Sequence, residues 1–193
     1  MPPDSIARLA DYLLLLRKWN RVHNLTAIRD PLKMVGVHVM DSLSIHPWVT
    51  GKRAVDVGSG AGLPGIPLSL IEPERHWTLL EPNTKRAGFL THAVMELSLE
   101  NVSVVQSRAE DVGPGITFDC VVCRALGPLR RILPQVRKLL VPGARILAMK
   151  GRIPEDELDC LPEGFMIAAT HRLRVPQLDA ERHLLEISGT DRS

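Results

Sequence analysis

The chain has 193 residues, 45% hydrophobic and 24% charged, the make-up of an ordinary globular protein that can bury its own core rather than of a disordered or fibrous one. Its formal net charge of +2 excludes any argument from bulk electrostatics, so a polyanion-binding surface would have to come from the distribution of cations along the chain. No run approaches the ~18 consecutive apolar residues of a membrane span, and residues 1–4 lack the basic and apolar blocks of a secretion signal, so the cytoplasm is the expected compartment.

Residues 4–20 place Ile6, Leu9, Leu13, Leu16 and Trp19 near helical spacing, with Arg8, Asp11, Arg17 and Lys18 between them, which predicts an amphipathic helix. A second helix is expected from residue 30, where Asp30 can cap free N–H groups and Pro31 suits the first helical position. From residue 52 the pattern changes to short apolar runs, "RAVDVG", "HWTLLE", "VSVVQS", "FDCVVCR" and "ARILAMKG", separated by helical segments at 64–72, 83–98 and 128–140. This alternation predicts an α/β fold with a Rossmann-like, mostly parallel sheet covered on both faces. "FMIAAT" and "RHLLEIS" follow without a helix between them and are expected to pair antiparallel at the sheet edge. With no repeat or linker in view, residues 1–193 are expected to form one domain, a helical extension over 1–48 and a core over 52–190.

Cys120 and Cys123 have the spacing of a metal or redox pair. They lie in a strand-like run, however, where residues three apart point to opposite faces. Both are expected to be small buried side chains, and no metal site is expected.

Gly58, Gly60 and Gly62 follow the first strand and precede the helix opened by Pro64. Such a loop lets backbone approach an adenosine-type cofactor or a phosphate. Residues 60–65 also satisfy the G-x-G-x-x-G dinucleotide fingerprint, which opens the reading of a nicotinamide-dependent oxidoreductase. The register opposes it, because the strand ends at Gly58, two residues before that match begins. Asp56 opposes it too, since a carboxylate beside the loop would repel a pyrophosphate seated on a helix N-terminus. An acid there favours a phosphate-free cofactor carrying positive charge, such as S-adenosylmethionine (SAM) with its ammonium and sulfonium. Glu81 ends the second strand, where it can accept hydrogen bonds from ribose hydroxyls. Glu110 follows the third strand, where an adenine ring would lie.

"NLTAIRDP", "HVMDSLSI", "DVGSGAGLPGIPLS", "TKRAGFL", "LENVSVVQSRAED", "FDCVVCRAL", "MKGRIPEDEL" and "VPQLDAERHLLEI" stand in order between about residue 19 and residue 188. With these motifs the chain resembles the RsmG (GidB) family of bacterial small-subunit ribosomal RNA methyltransferases. The resemblance implies a class I, SAM-dependent enzyme that methylates N7 of one guanosine in 16S ribosomal RNA. Carried over by motif, its cofactor contacts fall on Gly58, Leu63, Ala109, Glu110 and Arg124, and the general class I pattern adds Asp56, Gly60 and Glu81. The implied partner is 16S RNA or the small ribosomal subunit.

Guanine N7 carries an in-plane lone pair and no proton, so attack on a sulfonium methyl needs no general base. This agrees with the scatter of the seven histidines, none of which is assigned a catalytic role. Arg124, at the expected carboxyl end of the fourth strand, could hold the cofactor carboxylate or an RNA oxygen, or pair structurally with an acid such as Asp56. The eight basic residues from Cys120 to Pro154 have no acid among them. Lys150 and Arg152 from that run, with Arg29 and Lys33 from the N-terminal helices, are the expected phosphate-contacting rim. A monomer without metal is expected. The remaining alternative is a non-catalytic RNA- or ribosome-binding module.

Overall fold

The structure is a computed structural model and describes residues 2–189; residues 1 and 190–193 of the expected domain span lie outside the described residues. The described residues include seven strands: β1 (Arg53–Val57), β2 (His76–Leu80), β3 (Val102–Val105), β4 (Phe118–Arg124), β5 (Leu140–Lys150), β6 (Phe165–Arg172) and β7 (His183–Gly189). They form one sheet in the order β3-β2-β1-β4-β5-β7-β6. The first five in sequence pair in parallel. β7 is antiparallel to both β5 and β6, so the expected antiparallel pair exists, with its later strand inserted inside the sheet and its earlier one at the rim.

The helices are α1 (Ser5–His23), α2 (Pro31–Met34), α3 (Asp41–Leu43), α4 (Gly65–Ile71), α5 (Thr84–Glu96), α6 (Leu129–Val136) and α7 (Glu155–Leu158). The strand pleat sorts side chains onto two faces. Ala54, Leu79, Cys120, Val122 and Leu147 pack with residues of α1, α4 and α5. Val55, Leu80, Val121, Cys123 and Ile146 pack beneath Leu129, Ile132 and Leu133 of α6. Cys120 and Cys123 therefore lie on opposite faces, both free and buried, and burial pushes their thiols up to about 11 and about 12.

α1 packs into the same core as the strands through Leu9, Tyr12 and Leu16. Its buried stripe is Ser5, Leu9, Tyr12, Leu16 and Asn20, which leaves Ile6 74% exposed and corrects the expectation that Ile6 faces inward. The polar members of the stripe explain the rotation. The Ser5 hydroxyl donates to the Leu70 carbonyl at 3.3 Å, the Asn20 side chain accepts from the Thr26 N–H at 2.9 Å, and the Tyr12 hydroxyl donates to the Ala61 carbonyl at 2.7 Å. Three satisfied buried polar groups outweigh one exposed isoleucine.

Asp30 caps α2 as expected, accepting from the Leu32 N–H at 2.9 Å, with Pro31 at the first helical position. Between α2 and α3 the chain widens into π-helical turns over Val35–Met40, an arrangement often found beside functional sites. On the other side of the sheet, Arg130 and Arg131 of α6 are exposed. The guanidinium of Arg137 lies 4.5 Å from the Phe165 ring centroid. Lys138 donates to the Val112 carbonyl at 2.9 Å and also to the Glu110 carbonyl.

Tyr12→Phe leaves the Ala61 carbonyl without its partner inside the core. The expected loss is about 1–3 kcal/mol, read as a fall in melting temperature of roughly 2–4 °C per kcal/mol for a chain of this size. An unchanged melting temperature would show that this bond does not hold α1 to the glycine loop.

Candidate cofactor and acceptor site

The site lies at the carboxyl edge of the parallel strands, where open α/β sheets bind ligands. Immediately after β1, Gly58, Gly60 and Gly62 all take positive φ values of 69°, 58° and 86°, a region that strains residues with a Cβ. The Gly58 and Ser59 N–H groups both donate to the Leu80 carbonyl, at 2.8 and 3.1 Å, so the loop leaves β1 by bending over β2. A Cβ on Gly58 would collide with Leu126, and one on Gly62 with Ile66. At Gly60 there is room, and the conformation alone demands glycine.

Two carboxylates brace this loop. Asp56 has no exposed surface; its Oδ2 accepts from the Gly65 N–H at 2.9 Å, while its Oδ1 has no partner. Burial pushes its carboxyl up to about 6, against the opposing pull of the Gly65 N–H and of Arg124. Glu81 is buried as well. One oxygen accepts from the Gly60 N–H and the other from the Asn83 N–H, both at 2.9 Å. Asp56 is thus beside the loop as expected but sealed beneath it, where it shapes the backbone instead of presenting a charged surface.

Gly58, Ala109 and Glu110 meet in a pocket of about 170 Å³ walled by Leu80, Pro82 and Leu126. Of the other expected cofactor residues, Glu81 reaches this region through its bond to Gly60. The side chain of Leu63 instead packs into the core and its N–H donates to the Ser59 carbonyl at 3.0 Å, so any ligand contact from Leu63 is not made by an exposed side chain.

Arg124, at the end of β4, does have an acidic partner, but it is Asp41 and not the Asp56 named as the structural alternative. Its Nη1 lies 3.2 Å from Asp41 Oδ2 and donates to the Val37 carbonyl, also at 3.2 Å. The other oxygen of Asp41 accepts from Arg182 Nε at 2.9 Å. One buried carboxylate is therefore shared by two guanidiniums, from positions 83 and 141 residues away, and the cluster keeps a net positive charge. Sequence reasoning missed Asp41 and Arg182. The available signal was an acid just past a stretch where cations outnumber acids, and only the fold supplies its partners.

His38 is buried next to this cluster, with Nε2 3.0 Å from the Thr26 hydroxyl. Burial and the nearby Arg124 hold its imidazole down, to about 4, so it is neutral near pH 7 and a weak base.

The expected phosphate rim is only partly present. Arg29 and Lys33 are exposed, and Arg29 donates to Asn24 Oδ1 at 3.2 Å. Arg152 has a side chain 91% exposed, 3.6 Å from Glu181. Lys150 corrects the expectation. Its Nζ lies 3.1 Å from Glu157 Oε2 and donates to the Gly127 carbonyl at 3.1 Å, which ties the loop after β4 to α7. The basic run and the acidic run that follows it are separate in sequence, but α7 folds the acid back over the lysine. Among the described residues, no group of three His, Cys, Asp or Glu side chains could hold a metal ion, and no helix is long and apolar enough to cross a membrane.

The sheet order, the glycine loop after β1 and the acid ending β2 define a class I SAM-dependent methyltransferase. Solved structures share the fold at low identity. The glycopeptide N-methyltransferase MtfA complexed with S-adenosyl-L-homocysteine matches with a TM-score of 0.68 at 12% identity, over 80% of this chain and 87% of its own. TrmN from Thermus thermophilus matches with a TM-score of 0.56 at 17% identity, over 78% of this chain and 48% of its own. A family model described as rRNA small subunit methyltransferase G (GidB) matches residues 5–185, and the chain belongs to that family. Ribosomal RNA small subunit methyltransferase G of Methylococcus capsulatus is 50% identical over 97% of this chain and 91% of its own length. The protein of that name from Yersinia enterocolitica is 44% identical over 96% and 90%.

Two variants test the bracing. Because the folded pKa of Asp56, about 6, exceeds its ordinary 3.8, the folded state binds this proton more tightly than the unfolded one. Its contribution to stability is therefore greatest below about pH 4 and is lost as pH rises to about 6. Asp56→Asn is expected to lack that loss, so its urea midpoint should gain on the wild type between pH 4 and pH 6.5; a constant difference would contradict the raised value. Asp41→Asn, which leaves Arg124 and Arg182 without a countercharge, is expected to lose about 2 kcal/mol on denaturation, less than the 3–5 of a fully buried pair because both guanidiniums reach solvent.

Proposed function

We propose that this chain transfers the methyl group of SAM to N7 of one guanosine in 16S ribosomal RNA, acting on the small ribosomal subunit in the cytoplasm as a monomeric, single-domain enzyme. Membership of the family supports the reaction class and the ribosomal RNA substrate. The observation that carries the choice of atom is the lack of a free base among the described residues around the end of β4. Asp41 is held by two arginines, Asp56 is sealed beneath the loop, Glu81 is spent on backbone amides, and His38 is buried and weakly basic. An acceptor that must lose a proton would find nothing to take it, whereas N7 offers a lone pair without one.

The residues present fit SAM. A cradle of three left-handed glycines admits backbone to close approach, and the orphaned oxygen of Asp56 supplies negative charge under the loop, which suits a cation and opposes a pyrophosphate. When bound, SAM supplies an electrophilic methyl on a positively charged sulfur. Gly58, Gly60, Ala109 and Glu110 would hold the adenosine, and Glu81, keeping its bonds to the Gly60 and Asn83 amides, would accept from ribose hydroxyls through its remaining lone pairs. Arg124, oriented by Asp41 and the Val37 carbonyl, would bind the cofactor carboxylate or an oxygen of the acceptor nucleotide. What the chain contributes to the reaction is then alignment and fixed charge. Arg29, Lys33 and Arg152 would meet RNA phosphates.

Incubation with labelled SAM and small-subunit particles or stripped 16S RNA, followed by nuclease digestion, is expected to yield labelled 7-methylguanosine. Label in another nucleoside would overturn the N7 assignment. Cofactor binding without any labelled RNA would favour the non-catalytic binding module. Gly58→Ala, strained by roughly 1–2 kcal/mol at a left-handed position and colliding with Leu126, is expected to weaken SAM binding at least about tenfold by calorimetry.

A further inference from the structure

A second depression at the carboxyl edge is separate from the cofactor pocket. A groove of about 830 Å³ lies between the end of β5 and the loop over 173–182, and Arg152, Arg172, Arg174 and Arg182 line it together with Asp179 and Glu181. We propose that this groove docks the phosphodiester backbone of the small-subunit RNA, with Arg172 and Arg174 as its principal phosphate contacts. The proposal rests on the reading of the chain as a ribosomal RNA methyltransferase and names the surface by which it holds that substrate.

Local structure sets the two arginines side by side. Leu173 and Val175 are buried in the core that also holds α1, and the Leu173 N–H donates to the Arg182 carbonyl at 2.8 Å, extending the pairing of β6 with β7. With alternate residues turned inward, Arg172 and Arg174 are both exposed on the opposite side. Two residues along extended chain is about 7 Å, close to the spacing of successive phosphates on one strand. Neither arginine side chain has a hydrogen bond or ion pair among the described residues. Two neighbouring guanidiniums without countercharge repel each other, and a polyanion relieves that repulsion while releasing its counterions.

The two acids of the groove, Asp179 and Glu181, offset its four arginines only in part. Glu181 faces Arg152 at 3.6 Å, with both side chains more than half exposed, so solvent screens the pair. Arg182 is fixed by Asp41, which also fixes Arg124, so the groove is continuous with the site where the acceptor base must reach the methyl group. From β4 to β6 is three strand spacings, about 15 Å, so the groove would seat phosphates two or three nucleotides from the target. Its apolar lining is Leu173, Val175, Leu178 and Ala180, with no aromatic ring for a base to stack on, which fits contact with the backbone.

The test compares wild type with Arg172→Ala/Arg174→Ala, with the charge-retaining Arg172→Lys/Arg174→Lys, and with Lys52→Ala next to β1 at the amino edge. Small-subunit binding is titrated with salt, and methyl transfer and S-adenosylhomocysteine binding are measured in parallel. The double alanine variant is expected to lower the slope of log K against log salt by about 1.5 and to raise KM for the particle at least about tenfold. Its kcat should stay within about twofold, and its S-adenosylhomocysteine affinity and melting temperature should be unchanged. The lysine pair should restore most of the slope, and Lys52→Ala should leave it unaltered. An unchanged slope and KM in the double alanine variant, with an active wild type, overturns the groove and leaves the enzymatic reading standing. Loss of S-adenosylhomocysteine binding in that variant also overturns it, as an effect on the fold. A wild type that methylates no RNA sinks the enzymatic reading instead, and the salt slope alone then decides whether the groove holds RNA.

Discussion

Asp56 and Glu81 place two carboxylates in a nearly water-free space directly beneath the glycine loop, and the shape of that loop depends on them. A chain that reverses direction through three left-handed residues has few ways to satisfy its own amides. Here the Gly65 and Gly60 N–H groups are drawn down onto the two acids, which starts α4 at the right angle and leaves the upper surface of the loop to a ligand. Burying an acid with one oxygen unpartnered is unfavourable, and the surrounding apolar strands have to hold it there. In the proposed reading the same acids also bear on cofactor chemistry. Negative charge under the loop suits a sulfonium and an ammonium and opposes a diphosphate, although the glycine spacing alone is compatible with either.

Asp41 plays the corresponding part beside the end of β4. Its carboxylate joins three pieces of chain: the helical N-terminal region, the end of β4 and the loop before β7. The wide π-helical turns before it bring the Val37 carbonyl to the same guanidinium. Tyr12 makes a parallel tie, from the middle of α1 to the glycine loop itself. The N-terminal helices are therefore part of the site as well as a cover for one face of the sheet.

How much of this is legible in the sequence depends on the range of the interaction. The strands and the helices α4, α5 and α6 between them are signalled by local periodicity, α7 is not, and the glycine loop and its two acids are signalled by positions within one or two residues of a strand end. The antiparallel pairing of the last strands is also legible, from the missing helix between them. What is not legible depends on partners distant in the chain. Lys150 reads as a free cation because Glu157 belongs to the next charge block. Arg124 reads as a ligand-binding cation, with Asp56 as its alternative structural partner, because Asp41 lies 83 residues away. Ile6 reads as buried because apolar spacing counts isoleucine and overlooks Ser5, Tyr12 and Asn20, whose hydrogen bonds set the rotation of α1. Leu63 carries a family motif, but its side chain serves the core.

The place of β7 bears on how the protein is made. Chain leaving the ribosome delivers β5 well before β7, and β6, the next strand to emerge, does not pair with β5 in the finished sheet. Until β7 arrives, one long flank of β5 offers unpaired amides and carbonyls to any extended segment nearby, the situation in which strands pair wrongly. β6 must in the meantime stay off that flank, although its own direction would allow a parallel pairing. Closure of the sheet is thereby tied to the emergence of β7, and because Arg182 immediately precedes β7, the last tie to Asp41 is made in the same step that closes the sheet.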